Sequence, residues 1–445
     1  MPARAAHPDM WRQLTGSLWF VPGLFVLGAI GLATTMVELS ASIDPATLAR
    51  FPRLFGAGAG GARSMLATIA GSMITVAGVT FSVTVVAVAQ ASSQYTPRIL
   101  RNFMRDRANQ VVLGLLVGVF AYCLVVLRTI RGGDELLFVP SVAVLVAVLL
   151  TFVAIGGFVF FIHHITETLE AGSILARISR ETVRAVDRLF PEELGNERSG
   201  ALEPLPDDGA WCVVNAATSG YVQSVDSEGM VRYAEQYSTV VRMERGVGDF
   251  VVEGSALASV AGFEPDKHNI AALRALYTLS DHRTVDQDAA FGVRQMVDMG
   301  TKALSPGVND TTTAITCIEH LRVVLTRLAR RRVTERYRTT GRALRVIAIG
   351  PTFESLLGDA VHEIRQSAAG NARVFVHLLN LLASVGRQVS DEDRRESLRA
   401  HAELILRSAR EGIVLEEDFA VVAAAHERLA SVLGTGLFSH RDSRL

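Results

Sequence analysis

Lysine is nearly missing from this chain of 445 residues: Lys267 and Lys302 are the only two, and every other basic residue is arginine. We read that bias as GC-rich coding. Cysteine is scarce too. Cys123, Cys212 and Cys317 are an odd, scattered set, which excludes a disulfide framework and fits a reducing compartment. Net charge is −1, so no global basic field exists and nucleic acid is excluded as a partner. The chain also lacks nucleophile-elbow, HExxH and phosphate-loop spacings, which leaves the common hydrolase, metalloprotease and nucleotide-binding chemistries without a signature.

The most informative absence is local. From Met65 to Gln90 there is no charge at all. A helix of that length crosses the hydrocarbon core of a bilayer. At 100° per residue, Thr68, Ser72, Thr75, Val79, Ser82 and Gln90 fall on one stripe. Small hydroxyls on one face either let helices pack closely or line a polar path.

Three more apolar segments stand out, at Ser17–Val37, Val111–Leu127 and Phe138–Ile162. The first is too long for a cleavable signal and has no small-residue cleavage site. Arg98, Arg101, Arg105 and Arg107 crowd the loop after the second span, and Arg177, Arg180 and Arg184 follow the fourth. This bias predicts four spans with both termini cytoplasmic. Beside Ile99, Leu100 and Phe103, the residues Arg98, Arg101 and Arg105 make a basic juxtamembrane face suited to anionic lipid, although positive-inside topology alone explains them equally.

Most of the charge comes after residue 163. The predicted organisation is a transmembrane domain over 1–165, a juxtamembrane helix and linker over 166–208, a small β-domain over 209–263, a helical domain over 264–435 and a disordered tail over 436–445. WCVVNA, GYVQSV, STVVRM, DFVVEG and ALASV alternate as short strands with Gly or Asp turns between them. They resemble a lipoyl- or biotinyl-type barrel, with a generic small β-domain as the alternative. No lysine lies between 191 and 266, so a carrier role is excluded. The fold class expected is thus an α-helical membrane domain plus a small β-barrel-like domain and an α-helical domain.

One polar cluster falls where two helices meet near a Ser-Pro-Gly break: His282, Arg283, Asp286, Asp288, Asn309 and Asp310. Caps, an Arg–Asp bridge and helix-start threonines explain these residues without chemistry. A metal held by His282, Asp286 and Asp310 is a lesser alternative, and neither metal nor cofactor is expected. The basic run at 327–338 reads as a solvated face.

TVVAVAQASSQYTPRIL after a span, and RTVDQDAAFGVRQMVDMGTKALSPGVNDTTTA further on, resemble the DUF2254 family of bacterial predicted membrane proteins. The resemblance covers nearly the whole chain. It implies an inner-membrane location and no particular activity. The function expected from the residues is a homo-oligomeric channel or pore-like protein in the bilayer, its second span on the axis. A sensor or scaffold that binds a cytoplasmic partner is the alternative, and a membrane-bound enzyme a third. The absence of carboxylates within the spans argues against proton- or cation-coupled transport.

Overall fold

The computed structural model describes residues 19–43, 58–94, 106–131, 138–168, 170–190, 211–331, 337–340 and 343–434. It divides into two compact units, Met1–Ser173 and Ile174–Leu445.

The first unit holds four helices long and apolar enough to cross a membrane: α1 (Phe20–Ser42), α2 (Ala59–Gln94), α3 (Arg107–Thr129) and α4 (Ser141–Thr168). The third helix is the centre, and α1, α2 and α4 all pack on it. Glycine makes the tightest contact possible. A Cβ on Gly114 would stand 2.9 Å from Phe25 Cδ2 and 3.1 Å from Pro22 Cα. Without lipid-excluding forces between helices, such close backbone approach supplies much of the packing energy.

Some polar groups of this unit partner helix ends. Asp106 caps α3 by accepting from Ala108 N at 2.9 Å. At the other end Arg63 Nη2 donates to the Ile130 carbonyl at 2.8 Å. Tyr122, fully buried, donates to the Ala143 carbonyl at 3.0 Å, and Ser40 Oγ accepts from Ala143 N at 3.3 Å. These bonds tie α1, α3 and α4 together at one level.

In the second unit, α5 (Ala171–Leu189) buries Ile174, Leu175, Ile178, Thr182, Ala185 and Val186 along one stripe. The five strands read from sequence follow as β1 (Trp211–Asn215), β2 (Gly220–Val225), β3 (Val241–Met243), β4 (Phe250–Val251) and β5 (Ala256–Ala261). Between β2 and β3 stands an unforeseen helix, α6 (Ser227–Gln236), capped by Asp226. After β5 come α7 (Lys267–Arg274) and β6 (Tyr277–Ser280).

The barrel expectation is not met: the strands form no closed barrel among the described residues. They divide between two sheets, one ordered β4-β2-β6 and the other β1-β5-β3 continued by two late strands. Those are β7 (Tyr337–Thr340) and β8 (Ala343–Ile347), which follow α8 (Ala289–Ala303) and α9 (Thr311–Ala329). The β3–β8 pairing is parallel and the other pairings are antiparallel. Sheet formation therefore reaches well past residue 263, into sequence read as wholly helical. The physical reason is the crossover. A parallel neighbour must arrive through a long connection, here the whole stretch between Met243 and Ala343 with α7, α8 and α9 in it, and local periodicity carries no trace of it.

The remaining helices are α10 (Phe353–Ser367), α11 (Ala372–Gly386), α12 (Glu392–Gly412) and α13 (Glu416–Leu433). With α8 and α9 they form a bundle around α11. Leu378, Leu379, Leu381 and Leu382 of α11 are all fully buried, while Arg373, His377, Asn380 and Ser384 share one less buried stripe, so this helix is an amphipathic core helix and not a span. At 15 residues it is also too short to cross a bilayer.

Candidate functional site

The second helix presents two faces of different chemistry. Ala62, Leu66, Ala70, Met73, Ala77, Thr80 and Ala87 are buried against the rest of the first unit. The sequence-derived stripe, Thr68, Ser72, Thr75, Val79, Ser82 and Gln90, lies on the exposed face. Gly71 and Gly78 accompany it, with open space where their Cβ atoms would be. Thr68 Oγ1 donates to the Ser64 carbonyl and Thr75 Oγ1 to the Gly71 carbonyl, both at 2.8 Å. These hydroxyls are thus satisfied within their own helix. Arg98, Arg101 and Arg105 lie outside the described residues.

A contact absent from the sequence reading joins α3 to α4. Asp106 Oδ2 meets His164 Nε2 at 2.7 Å, and the His164 ring stacks on Phe160 with centroids 5.6 Å apart. One carboxylate therefore caps a helix and binds a second helix. The two residues are 58 positions apart, so no local pattern announces the contact.

The polar cluster of 281–311 is split by the fold. Asp288 caps α8, accepting from Phe291 N at 2.9 Å. Arg283 grips the same carboxylate with Nε at 2.7 Å and Nη2 at 3.0 Å, and its guanidinium lies over the Phe291 ring. Asp288 is 4% exposed, so this is a buried, bidentate pair. The β3–β4 loop closes over it. Gly248 has φ +94°, and a Cβ there would come within 2.8 Å of both partners. Asn309 and Asp310 belong to the far end of α8, a helix about 22 Å long at 1.5 Å per residue. Asp310 caps α9, accepting from Thr313 N at 3.0 Å and from Thr313 Oγ1 at 2.5 Å, and these bonds hold its carboxyl below the ordinary range. Asn309 has φ +49°, which suits the turn into that cap.

His282, half-buried, and Asp286, exposed, stay at the near end with Arg283 and Asp288. His282, Asp286 and Asp310 therefore do not converge as a metal site. No group of three or more His, Cys, Asp or Glu side chains suited to a metal occurs among the described residues. Near Asp286, burial pushes the Glu181 carboxyl up and Asp286 adds to it, while Arg177, Arg184 and Arg180 pull the other way.

The basic run at 327–338 departs from a solvated face at its start. Arg331 is 6% exposed and donates to the Phe190 carbonyl at 2.9 Å. Arg327 and Arg331 share Asp187 Oδ1 at 2.6 and 2.7 Å, anchoring α5 on α9. Beside them a groove of about 420 Å³ is lined by Val183, Arg322, Val323, Thr326, Arg327, Arg330 and Ser384.

Four helices able to span a membrane, followed by a mixed helical and sheet unit, define a predicted multi-span membrane protein. The chain belongs to the DUF2254 family, described as predicted membrane proteins, whose family model matches residues 15–384. Uncharacterized proteins of Mycobacterium tuberculosis and Mycobacterium bovis are 32% identical to it over 431 residues, covering 94% of this chain and 81% of theirs. No solved structure matches it.

Proposed function

We propose that this protein is a homo-oligomeric channel or pore-like assembly of the bacterial inner membrane, with α2 facing the symmetry axis and both termini cytoplasmic. The observation that carries the reading is the exposed face of α2. Thr68, Ser72, Thr75 and Ser82 point away from the chain's own core, and Gly71 and Gly78 leave room for another helix beside them. In lipid, a small-residue face is where helices approach most closely. Four spans are too few to enclose a path alone, and cyclic assembly is the usual solution. The second unit gates or organises the assembly in this reading, and it carries out no chemistry.

A second reading has its own support. The Thr68 and Thr75 hydroxyls are bonded to their own helix, which suits packing without water. The protein would then be a membrane sensor or scaffold.

Planar-bilayer conductance of the purified oligomer separates the two, with wild type beside Thr75→Leu and oligomer size checked in both. In the channel reading wild type conducts, and Thr75→Leu blocks current in an intact oligomer by dewetting the constriction. Silent wild-type oligomers across salts, voltages and membrane tensions refute conduction and leave the scaffold. Single cysteines at Ser72 and Thr75 are expected to crosslink between chains, and one at buried Ala77 is not.

A further inference from the structure

Two surface patches on the helical bundle of the second unit, far apart along its helices, are complementary in charge. The register of its helices establishes which residues share an end. Asn371 Nδ2 donates to Thr311 Oγ1 at 3.0 Å, and Arg330 Nε donates to Gln388 Oε1 at 3.0 Å. So α9 and α11 run side by side in the same direction. Gly370 meets Gly412 so closely that a Cβ on it would stand 2.3 Å from the Gly412 carbonyl oxygen. The turn between α12 and α13 therefore sits at the start of α11.

That turn is an acidic apolar tip. Val414 is 96% exposed and Leu415 60% exposed. Glu411, Glu416, Glu417 and Asp418 surround them, and Arg410 pairs with Glu416 at 2.9 Å. The negative charge makes an anionic membrane surface a poor receiver.

The groove along the second half of α9 has the complementary character. Its floor is Val183 and Val323, the latter 53% exposed, with the arginine stems beside them. Its rim carries the guanidinium groups of Arg322, Arg327 and Arg330. In the floor, Thr326 Oγ1 is buried and lacks a hydrogen-bond partner among the described residues. A volume of about 420 Å³ accepts more than one aliphatic side chain. Tip and groove lie about 20 Å apart along a packed helix, given a rise of 1.5 Å per residue, so one chain cannot join them itself.

We infer that the Val414–Leu415 tip of one copy docks in the Val183–Val323–Thr326 groove of a second copy, with Glu417 and Asp418 facing the Arg322 and Arg330 rim. Such a contact is heterologous, head to tail, and closes into a ring when the membrane spans set the rotation. It rests on the oligomer proposed above only in needing a second copy, and it holds whether or not the assembly conducts.

The test uses two differently tagged full-length chains co-expressed in one membrane, each with Cys212→Ser to remove the half-exposed native thiol. One carries Val414→Cys and the other Val323→Cys. Oxidation is expected to join the two tags, while Val213→Cys, 53% exposed on β1, is not joined to Val323→Cys. Glu417→Arg with Asp418→Arg is expected to lower the yield about fivefold, the worth of two exposed ion pairs. Arg322→Glu with Arg330→Glu on the other chain restores it, which a misfolded variant would not allow. Equal joining at Val213→Cys, or failed restoration, overturns the contact. So does a Val323→Cys thiol freely labelled by maleimide in the assembly. A thiol protected from maleimide yet never joined to Val414→Cys means another occupant and also overturns it. If α2 cysteines crosslink while this pair does not, the docking alone is wrong. If this pair joins while α2 cysteines do not, the axial placement of α2 is wrong.

Discussion

The pair between Arg283 and Asp288 allows the sharpest test of whether the 281–311 region serves the fold or a reaction. Asp288→Ala removes three hydrogen bonds from a carboxylate that is 4% exposed. Loss of the α8 cap costs about 1 kcal/mol. Breaking a buried ion pair costs about 3–5 kcal/mol, but Arg283 is 26% exposed and rehydrates in part, so about 2–3 kcal/mol is appropriate here. The total is about 3–4 kcal/mol. For a unit of this size each kcal/mol moves the melting temperature by about 2–4 °C, so Asp288→Ala should melt roughly 10 °C lower. Asp288→Asn keeps a cap acceptor for Phe291 N and should lose about half as much. Arg283→Met strands the buried carboxylate with its single backbone donor and should cost about 3 kcal/mol. In the double variant the costs should fall short of additive by about 2 kcal/mol, because the orphaned charge is gone. Thermal unfolding of the purified full chain, followed by circular dichroism, reads all four. Additive costs would refute the coupling. A melting temperature unchanged in Asp288→Ala, together with a lost conductance or binding activity, would refute the structural assignment.

Three other outcomes follow from the same geometry. Gly292→Ala on α8 would place a Cβ 2.0 Å from Thr182 Oγ1 of α5, so calorimetry should show a loss of about 1–3 kcal/mol, partly recovered by adding Thr182→Ala. Asp310→Ala should cost about 1 kcal/mol through its lost cap. Because the folded carboxyl is held below its ordinary value, its stabilisation is fully present at neutral pH and is lost as pH falls through the folded value; the wild-type advantage over Asp310→Ala should vanish in acid denaturation and persist at neutral pH. A phosphatase fused after Leu445 should be silent in a periplasm-dependent assay, and an active fusion would invert the proposed orientation.

How far each of these could be read from the residues depends on the range of the interaction. The spans were legible because about twenty apolar residues in a row have one physical meaning. The helix starts near 286–288 and 309–310 were legible because a cap bonds to a backbone group only three residues away, but Asp286 was as good a candidate as Asp288 until the fold gave the cap to Asp288. The hydroxyl stripe of α2 followed from helical period alone. Which side of that helix its own chain covers did not, because Ala62, Ala70 and Ala77 are as plausible a lipid face as Thr68 and Thr75 until α3 is placed.

What the sequence determined, then, is what acts within a few turns of chain: four apolar helices, five short strands, the helix starts and the family. Tertiary structure alone decided what joins distant positions. It brought His164 to Asp106, paired β3 with a strand a hundred residues later, and divided one apparent polar cluster between the two ends of α8. The reason is common to all three. A rigid helix separates residues that are neighbours in sequence by its full length, and a sheet or bundle edge accepts whichever distant segment buries it best.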